Sequence, residues 1–198
     1  MVRRSSKKNP FLCSSRSTAI FFAACAIVTA GPAAADIVLN GDFETGFSAN
    51  SLGQLVPPGD SALSWTVGGA PVTWYKNGFN NIQQIPLSAH NGHLAIDLAG
   101  DGSVRFVRQS LNLLPSQAYQ LSFWVGNYSA NNSPAGVDIE IRDGTSNTIR
   151  LSETAAAPTT NESSTWVRFA FNFIPDGTSN TITFSGANGP SYIGLAVC

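Results

Sequence analysis

Charge is what this sequence has least of. Lys, Arg, Asp and Glu make up 12% of its 198 residues, about half the share of an ordinary globular domain. What charge exists is unevenly placed. Arg3, Arg4, Lys7, Lys8 and Arg16 precede the first acid, Asp36, and all 12 acids lie from that point on. The chain from Asp36 onward is therefore net acidic. This excludes the basic footprint of a nucleic-acid binder and argues against an anionic membrane surface as the main partner.

Reactive side chains are also scarce. The histidines are His90 and His93, and the cysteines are Cys13, Cys25 and Cys198. No serine elbow accompanies them, so nucleophilic catalysis lacks parts. Glycoside hydrolysis needs two carboxylates facing each other across a sugar. Asp42, Glu44, Asp97 and Asp101 are available, but nothing in the sequence marks one as an acid of raised pKa.

Apolar runs are short. The run at 19–30 (AIFFAACAIVTA) falls well below the roughly 20 residues of a membrane span. It follows a basic region and precedes Gly31-Pro32-Ala33-Ala34-Ala35, the layout of a secretory signal peptide with a small-residue cleavage site. Cleavage is expected after Ala35, leaving 36–198 as a single domain exported from the cytoplasm and not inserted in a membrane. A lipid anchor on Cys25 is disfavoured by Phe22 three positions upstream. Cleavage removes Cys13 and Cys25, so no internal disulfide holds the domain and its core must do so.

Period-two alternation, by contrast, is everywhere after residue 36. Tyr119, Leu121, Phe123 and Val125 alternate with Gln120, Ser122 and Trp124. Val137, Ile139 and Ile141 alternate with Asp138, Glu140 and Arg142. Val167, Phe169, Phe171 and Phe173 alternate with Trp166, Arg168, Ala170 and Asn172, and Leu94, Ile96 and Leu98 with Ala95 and Asp97. These are strands with one face on a core and one in water. Further strands are expected at 37–41, 64–68, 72–76, 104–113, 147–153, 180–186 and 191–197. Short strands broken by Gly, Pro and Asn predict an all-β, antiparallel β-sandwich of jelly-roll type. The heptapeptide DGTSNTI occurs at 143–149 and again at 176–182. It reads as one hairpin turn used twice, with Gly144 and Gly177 supplying positive φ.

Aromatic residues in polar settings mark a candidate site. Trp124 interrupts the polar side of its strand. Trp74, Tyr75 and Phe79 lie among Asn80, Asn81 and other amides in 72–84. Asn127 and Tyr128 end a strand and open a polar loop, where binding sites commonly sit. Sugar rings offer apolar C–H faces to aromatic rings and hydroxyls to amides, so this neutral combination points to a carbohydrate. Trp74 and Tyr75 are adjacent in a strand and should face opposite ways; Trp65 reads as core. His90 and His93 flank the turn signal Asn91-Gly92 and read as turn residues, with His90 also placed to face a ligand. A metal pair at that spacing would need a third ligand. Asn127, Asn131 and Asn161 stand in N-x-S sequons, which matter only in a glycosylating host.

Several stretches, taken in order, resemble a secreted galactose-binding-like jelly-roll family of the choice-of-anchor C type, similar to plant and bacterial cell-wall-associated proteins of unknown function. They are Asn40-Gly41-Asp42-Phe43-Glu44, Trp65-Thr66-Val67 with Val72-Thr73-Trp74-Tyr75, and Asn91-Gly92-His93-Leu94-Ala95-Ile96-Asp97-Leu98-Ala99-Gly100. Gln109-Ser110-Leu111, Tyr119-Gln120-Leu121-Ser122-Phe123, Gly126-Asn127 and Tyr192-Ile193-Gly194-Leu195 follow. The resemblance implies a module that binds wall or extracellular polysaccharide. It also implies a structural Ca2+ with Glu44 as the opening ligand, although Ala196 stands where the family usually carries the closing Asp.

The leading expectation is thus a secreted, non-catalytic module that holds a polysaccharide or glycan on Trp74, Tyr75, Phe79, Asn80, Asn81, Trp124, Asn127 and Tyr128, with Asp97 adding a hydrogen bond. A structural matrix or cell-surface protein with every large aromatic buried, and a glycan-processing enzyme with two converging acids, stand beside it.

Overall fold

The computed structural model describes residues 37–61, 64–80, 86–98, 103–127, 135–157, 165–187 and 193–197. Among these, eleven strands pair antiparallel throughout in two sheets. The six-stranded sheet runs in the order β1 (Gly53–Val56), β3 (Val72–Lys76), β4 (Leu94–Asp97), β11 (Ile193–Val197), β6 (Tyr119–Asn127), β9 (Thr165–Phe173). The five-stranded sheet runs β2 (Thr66–Gly69), β5 (Arg105–Asn112), β10 (Ser179–Ala187), β7 (Ala135–Asp143), β8 (Ile149–Ala157). The non-sequential order is that of a jelly roll, and no helix among the described residues is long and apolar enough to cross a membrane.

Alternation builds the core as expected. Trp74, Ile96, Leu121, Phe123 and Val125 of one sheet meet Val67, Val107, Ile139, Ile141, Ile182 and Phe184 of the other. Phe123 lies edge-on to Phe184 across the layers, with ring centroids 5.2 Å apart and planes at 70°, a favourable aromatic geometry. Trp65 is fully buried beside them.

The segment 37–41, expected as a strand, is a coil. At its centre, the backbone of Leu39 pairs with a side chain. Buried Gln109 accepts a hydrogen bond from Leu39 N at 2.8 Å and donates through Nε2 to Leu39 O at 2.9 Å and Ser64 O at 2.8 Å. The coil then turns through left-handed φ at Asn40 (49°) and Phe43 (59°). The Asn40 amide clips Thr45 in both directions, at 2.9 and 3.0 Å. This delivers the carbonyls of Asn40 and Phe43 to the indole N–H groups of Trp65 (3.2 Å) and Trp74 (3.0 Å). Asn40-Gly41-Asp42-Phe43-Glu44 is therefore a plug at the core's edge, satisfying two buried donors that would otherwise be costly.

The repeated heptapeptide does not make two hairpins. The first copy joins β7 to β8 within one sheet, whereas the second carries the chain from β9 in one sheet to β10 in the other. Neither Gly144 nor Gly177 has positive φ; the left-handed residue of the first copy is Asn147, at 55°. Asp143 Oδ1 accepts the amides of Thr145 and Ser146 at 2.8 and 2.9 Å. Its counterpart Asp176 instead pairs with Arg150.

β4 also departs from expectation. All four of its residues are buried, because Phe79 and residues 87–89 lie over the outer face of the sheet. There Tyr75, Leu87 and Ala95 form a second small core, with Phe79, Ala89 and Trp166 packed against it.

Candidate functional site

Beyond that covering segment, the outer face of the six-stranded sheet carries aromatic side chains. Phe123 and Val125 point inward, so Trp124 between them points out. Register sets Trp124 opposite Arg168, Gly126 opposite Trp166, Ser122 opposite Ala170, and Gln120 opposite Asn172. A Cβ on Gly126 would lie 3.0 Å from the Trp166 ring, so the glycine lets that indole lie across β6. Trp166 Nε1 donates to Ser88 O at 3.2 Å.

His90, from the covering segment, completes the cluster. Its ring stacks on Trp124 with centroids 3.7 Å apart and planes at 19°, and it meets Trp166 edge-on at 5.8 Å and 68°. All three rings are half-buried. Burial lowers the His90 pKa from its usual 6.5, which favours the neutral imidazole. The shelf is thus uncharged, with exposed Arg168, Gln120 and Asn172 at its border and Gln120 Nε2 donating to Asn172 Oδ1 at 3.2 Å.

The segment that carries His90 is tied down at both ends. Asn77 N donates to His93 O at 2.9 Å, Asn77 Nδ2 donates to Gly92 O at 3.2 Å, and Asn77 Oδ1 accepts Ala89 N at 2.6 Å. Glu44 Oε1 accepts the amides of His93 and Leu94, each at 2.8 Å. Gly92 has φ 69°, and any Cβ there would overlap the Glu44 carboxylate. Only glycine suits that corner.

The expected site residues are therefore only partly brought together. Trp74 and Tyr75 are corrected: both are 0% exposed and offer no ring face to a ligand. They do face opposite ways, but Trp74 enters the main core and Tyr75 is covered by Leu87 and its neighbours. Phe79 is half-buried, stacked on Tyr75 with centroids 6.0 Å apart, and Asn80 is exposed, its backbone bridged to Pro86. Asn127 ends β6, paired with Thr165 and Ile193, and its side chain lies outside the described residues, as do Asn81 and Tyr128. Trp124 is on the shelf. Trp166 and Arg168 were missed as site residues, although the same signal that marked Trp124, an aromatic on the polar side of an alternating strand, was present at Trp166.

Of the acids weighed for hydrolysis, Asp42 is exposed in the opening coil, Glu44 holds backbone amides, Asp97 is 5% exposed on β4, and Asp101 lies outside the described residues. Glu44 spends Oε1 on two backbone amides, which leaves Oε2 as the one oxygen it could offer an ion that takes six to eight. Among the described residues no three acidic, His or Cys side chains gather as a metal cluster.

No curated protein matches the chain. Among solved structures it is similar to the carbohydrate-binding module TmCBM61, determined in complex with beta-1,4-galactotriose. The TM-score is 0.55 and the identity 18%, over 82% of this chain and 95% of that one. It is also similar to a C-terminal family 22 carbohydrate binding module of Clostridium thermocellum, with a TM-score of 0.47 and 15% identity over 67% of this chain and 81% of that one. At such identity the first likeness establishes the fold, a jelly-roll β-sandwich of the kind found in carbohydrate-binding modules. The family described as "Protein of unknown function (DUF642)" matches residues 36–192, and the chain belongs to it.

Proposed function

We propose that this protein is a non-catalytic carbohydrate-binding module, exported by its first 35 residues, that holds an extracellular polysaccharide on the outer face of the six-stranded sheet. Trp124, Trp166 and His90 supply the stacking surface, while Ser122, Gln120, Arg168 and Asn172 supply hydrogen bonds to hydroxyls. The observation that carries this reading is the fixed, half-exposed His90–Trp124–Trp166 cluster. An uncharged aromatic platform with a few placed polar groups suits a ligand with apolar C–H faces and a hydroxylated rim. Its anchoring through Ser88, Asn77 and Glu44 means little ordering entropy remains to be lost on binding. Half-exposed indoles also speak against a purely structural protein with every ring buried.

The module it resembles was captured with galactotriose, which makes soluble β-1,4-galactan the first ligand to try, with xylan beside it. Affinity gel electrophoresis of the wild type, Trp124→Ala and Trp166→Ala tests the reading. Each variant should weaken binding about tenfold, or about 1.4 kcal/mol, with an unchanged circular dichroism spectrum. Two folded variants that bind as tightly as the wild type would overturn the site.

A further inference from the structure

The outer face of the other sheet carries a feature that this reading leaves unused. Register places the short hydroxyl side chains of Thr181, Thr183 and Ser185 in a row along β10, the middle strand. On one side β5 sets Ser110, Arg108 and Phe106 opposite them in turn. On the other side β7 sets Arg142, Glu140 and Asp138 opposite the same three. Mostly long side chains therefore rise on both flanks of a low floor about 13 Å long, at about 3.3 Å per residue. Two hollows of about 430 and 510 Å³ lie along it and share Glu140, Thr183 and Ser185, so they form one continuous trough.

The walls are braced. Arg142 grips Glu140 through two nitrogens, with Nη2 to Oε2 at 2.8 Å, and donates to Asn147 O at 3.2 Å. Thr154 Oγ1 donates to Asp138 Oδ1 at 2.6 Å. The Phe106 ring lies against Gly68, where any Cβ would overlap it, and Arg108 sits 5.9 Å from the ring centroid.

This chemistry narrows the occupant. Glu140 is paired with Arg142 and Asp143 with backbone amides, which leaves Arg108 against Asp138 and Glu153, so the trough is at most weakly acidic and a polyanion is not drawn in. The floor is made of hydroxyls, each a donor and an acceptor. A peptide strand cannot add to β10, whose backbone is paired on both sides, because strand addition needs a free edge. A second copy of the chain would want an apolar centre, and Phe106 is the lone aromatic among the trough's described residues.

We propose that the trough is a second glycan-binding surface, taking a neutral, hydroxyl-rich polysaccharide chain along β10. Resting on the first site as well, the module becomes bivalent and bridges two polysaccharide chains from opposite faces of the sandwich.

The test uses the full chain with soluble β-1,4-galactan and xylan. Thr183→Arg fills the floor, and Thr183→Val removes one hydroxyl while keeping strand propensity. Light scattering of protein–polysaccharide mixtures reads bridging, and affinity electrophoresis reads binding. Scattering should rise for the wild type and fall to the polysaccharide baseline for Thr183→Arg, which still binds through the shelf. The Trp124→Ala/Trp166→Ala variant should keep weak binding, lowered about tenfold further by Thr183→Val and abolished by Thr183→Arg. Loss of all binding in the Trp double variant alone would overturn the trough while upholding the shelf. Residual binding in that variant that neither Thr183 change lowers would also overturn the trough. If the wild type binds neither polymer, both readings fail. If Thr183→Arg converts a ligand-free dimer to a monomer, the trough is an interface between copies instead.

Discussion

Glu44 offers the sharpest separation between two readings of one motif. The resemblance makes it a calcium ligand, whereas the structure makes it the acceptor for two backbone amides at the start of β4. Glu44→Ala leaves the His93 and Leu94 N–H groups without their charged acceptor. Hydrogen bonds to charged groups are worth about 1.5–3 kcal/mol each. Glu44 is half-buried and the His93 end is exposed, so water recovers part of the loss, and the net cost should be about 2–3 kcal/mol. For a domain of this size that is a fall in Tm of about 4–12 °C. Glu44→Gln keeps a carbonyl oxygen for the same two amides and should cost about 1 kcal/mol or less. Thermal unfolding of the three proteins, with and without EDTA, reads the difference. Glutamine should rescue most of what alanine loses, and the chelator should not move Tm. Glutamine as damaging as alanine, together with a chelator-dependent Tm, would refute the amide-clamp account and restore the ion.

Gln109→Ala should remove about 3 kcal/mol by stranding Leu39 N, Leu39 O and Ser64 O together, measurable by urea unfolding; a loss below about 1 kcal/mol would mean the opening coil is held elsewhere. Asp143 should contribute to acid sensitivity. Backbone amides of Ser146 and Thr145 lower its pKa from 3.8, so the folded state holds fewer protons than the unfolded one. Its contribution is present above that value and is lost as pH falls through the lower folded pKa; Asp143→Asn should flatten the stability profile in that window and leave it alone near pH 7. The pKa of His90, lowered from 6.5 by burial, has the same sign, so its share of stability is full above 6.5 and lost as pH falls through the folded value. An NMR titration of the His90 ring should place the midpoint below 6.5, and galactan affinity should weaken over that interval in the wild type but not in His90→Phe.

Much of the sandwich was legible because burial in a two-layer fold has period two. The segment 72–76 became β3, and the alternations at 119–125, 137–142 and 166–173 lie in β6, β7 and β9. What escaped was whatever depended on a partner distant in sequence. The 37–41 segment has strand-like composition, but both backbone groups of Leu39 at its centre bond to a side chain 70 residues away. β1 (GQLV) has no alternation to notice, and its Gly53 makes room for the ring of Phe79. Identical heptapeptides diverged because one must reverse within a sheet and the other must cross between sheets. β4 alternates like a half-wet strand, yet the covering segment dries its second face.

The four tryptophans show how the same rule set one expected ring on the open sheet face and misjudged another. Parity sorts them. Trp65 and Trp74 share the inward phase of Val67 and Val72, while Trp124 and Trp166 oppose the inward Phe123 and Val167. Parity alone, however, says only which sheet face a ring takes, and Tyr75 takes the same outer face as Trp124 without being available. The covering segment decides the difference, burying Tyr75 and Ala95 under Leu87 and ending with His90 laid on Trp124. That segment is held by Asn77 and by Glu44, so the opening motif acts on the shelf at one remove, through His93 and Leu94 to His90. A ligand that stacks on the shelf must either accept His90 as one of its rings or displace it from Trp124. The clamp at Glu44 makes displacement costly, which favours a sugar lying along the three-ring edge over one pressed flat on the Trp124 face.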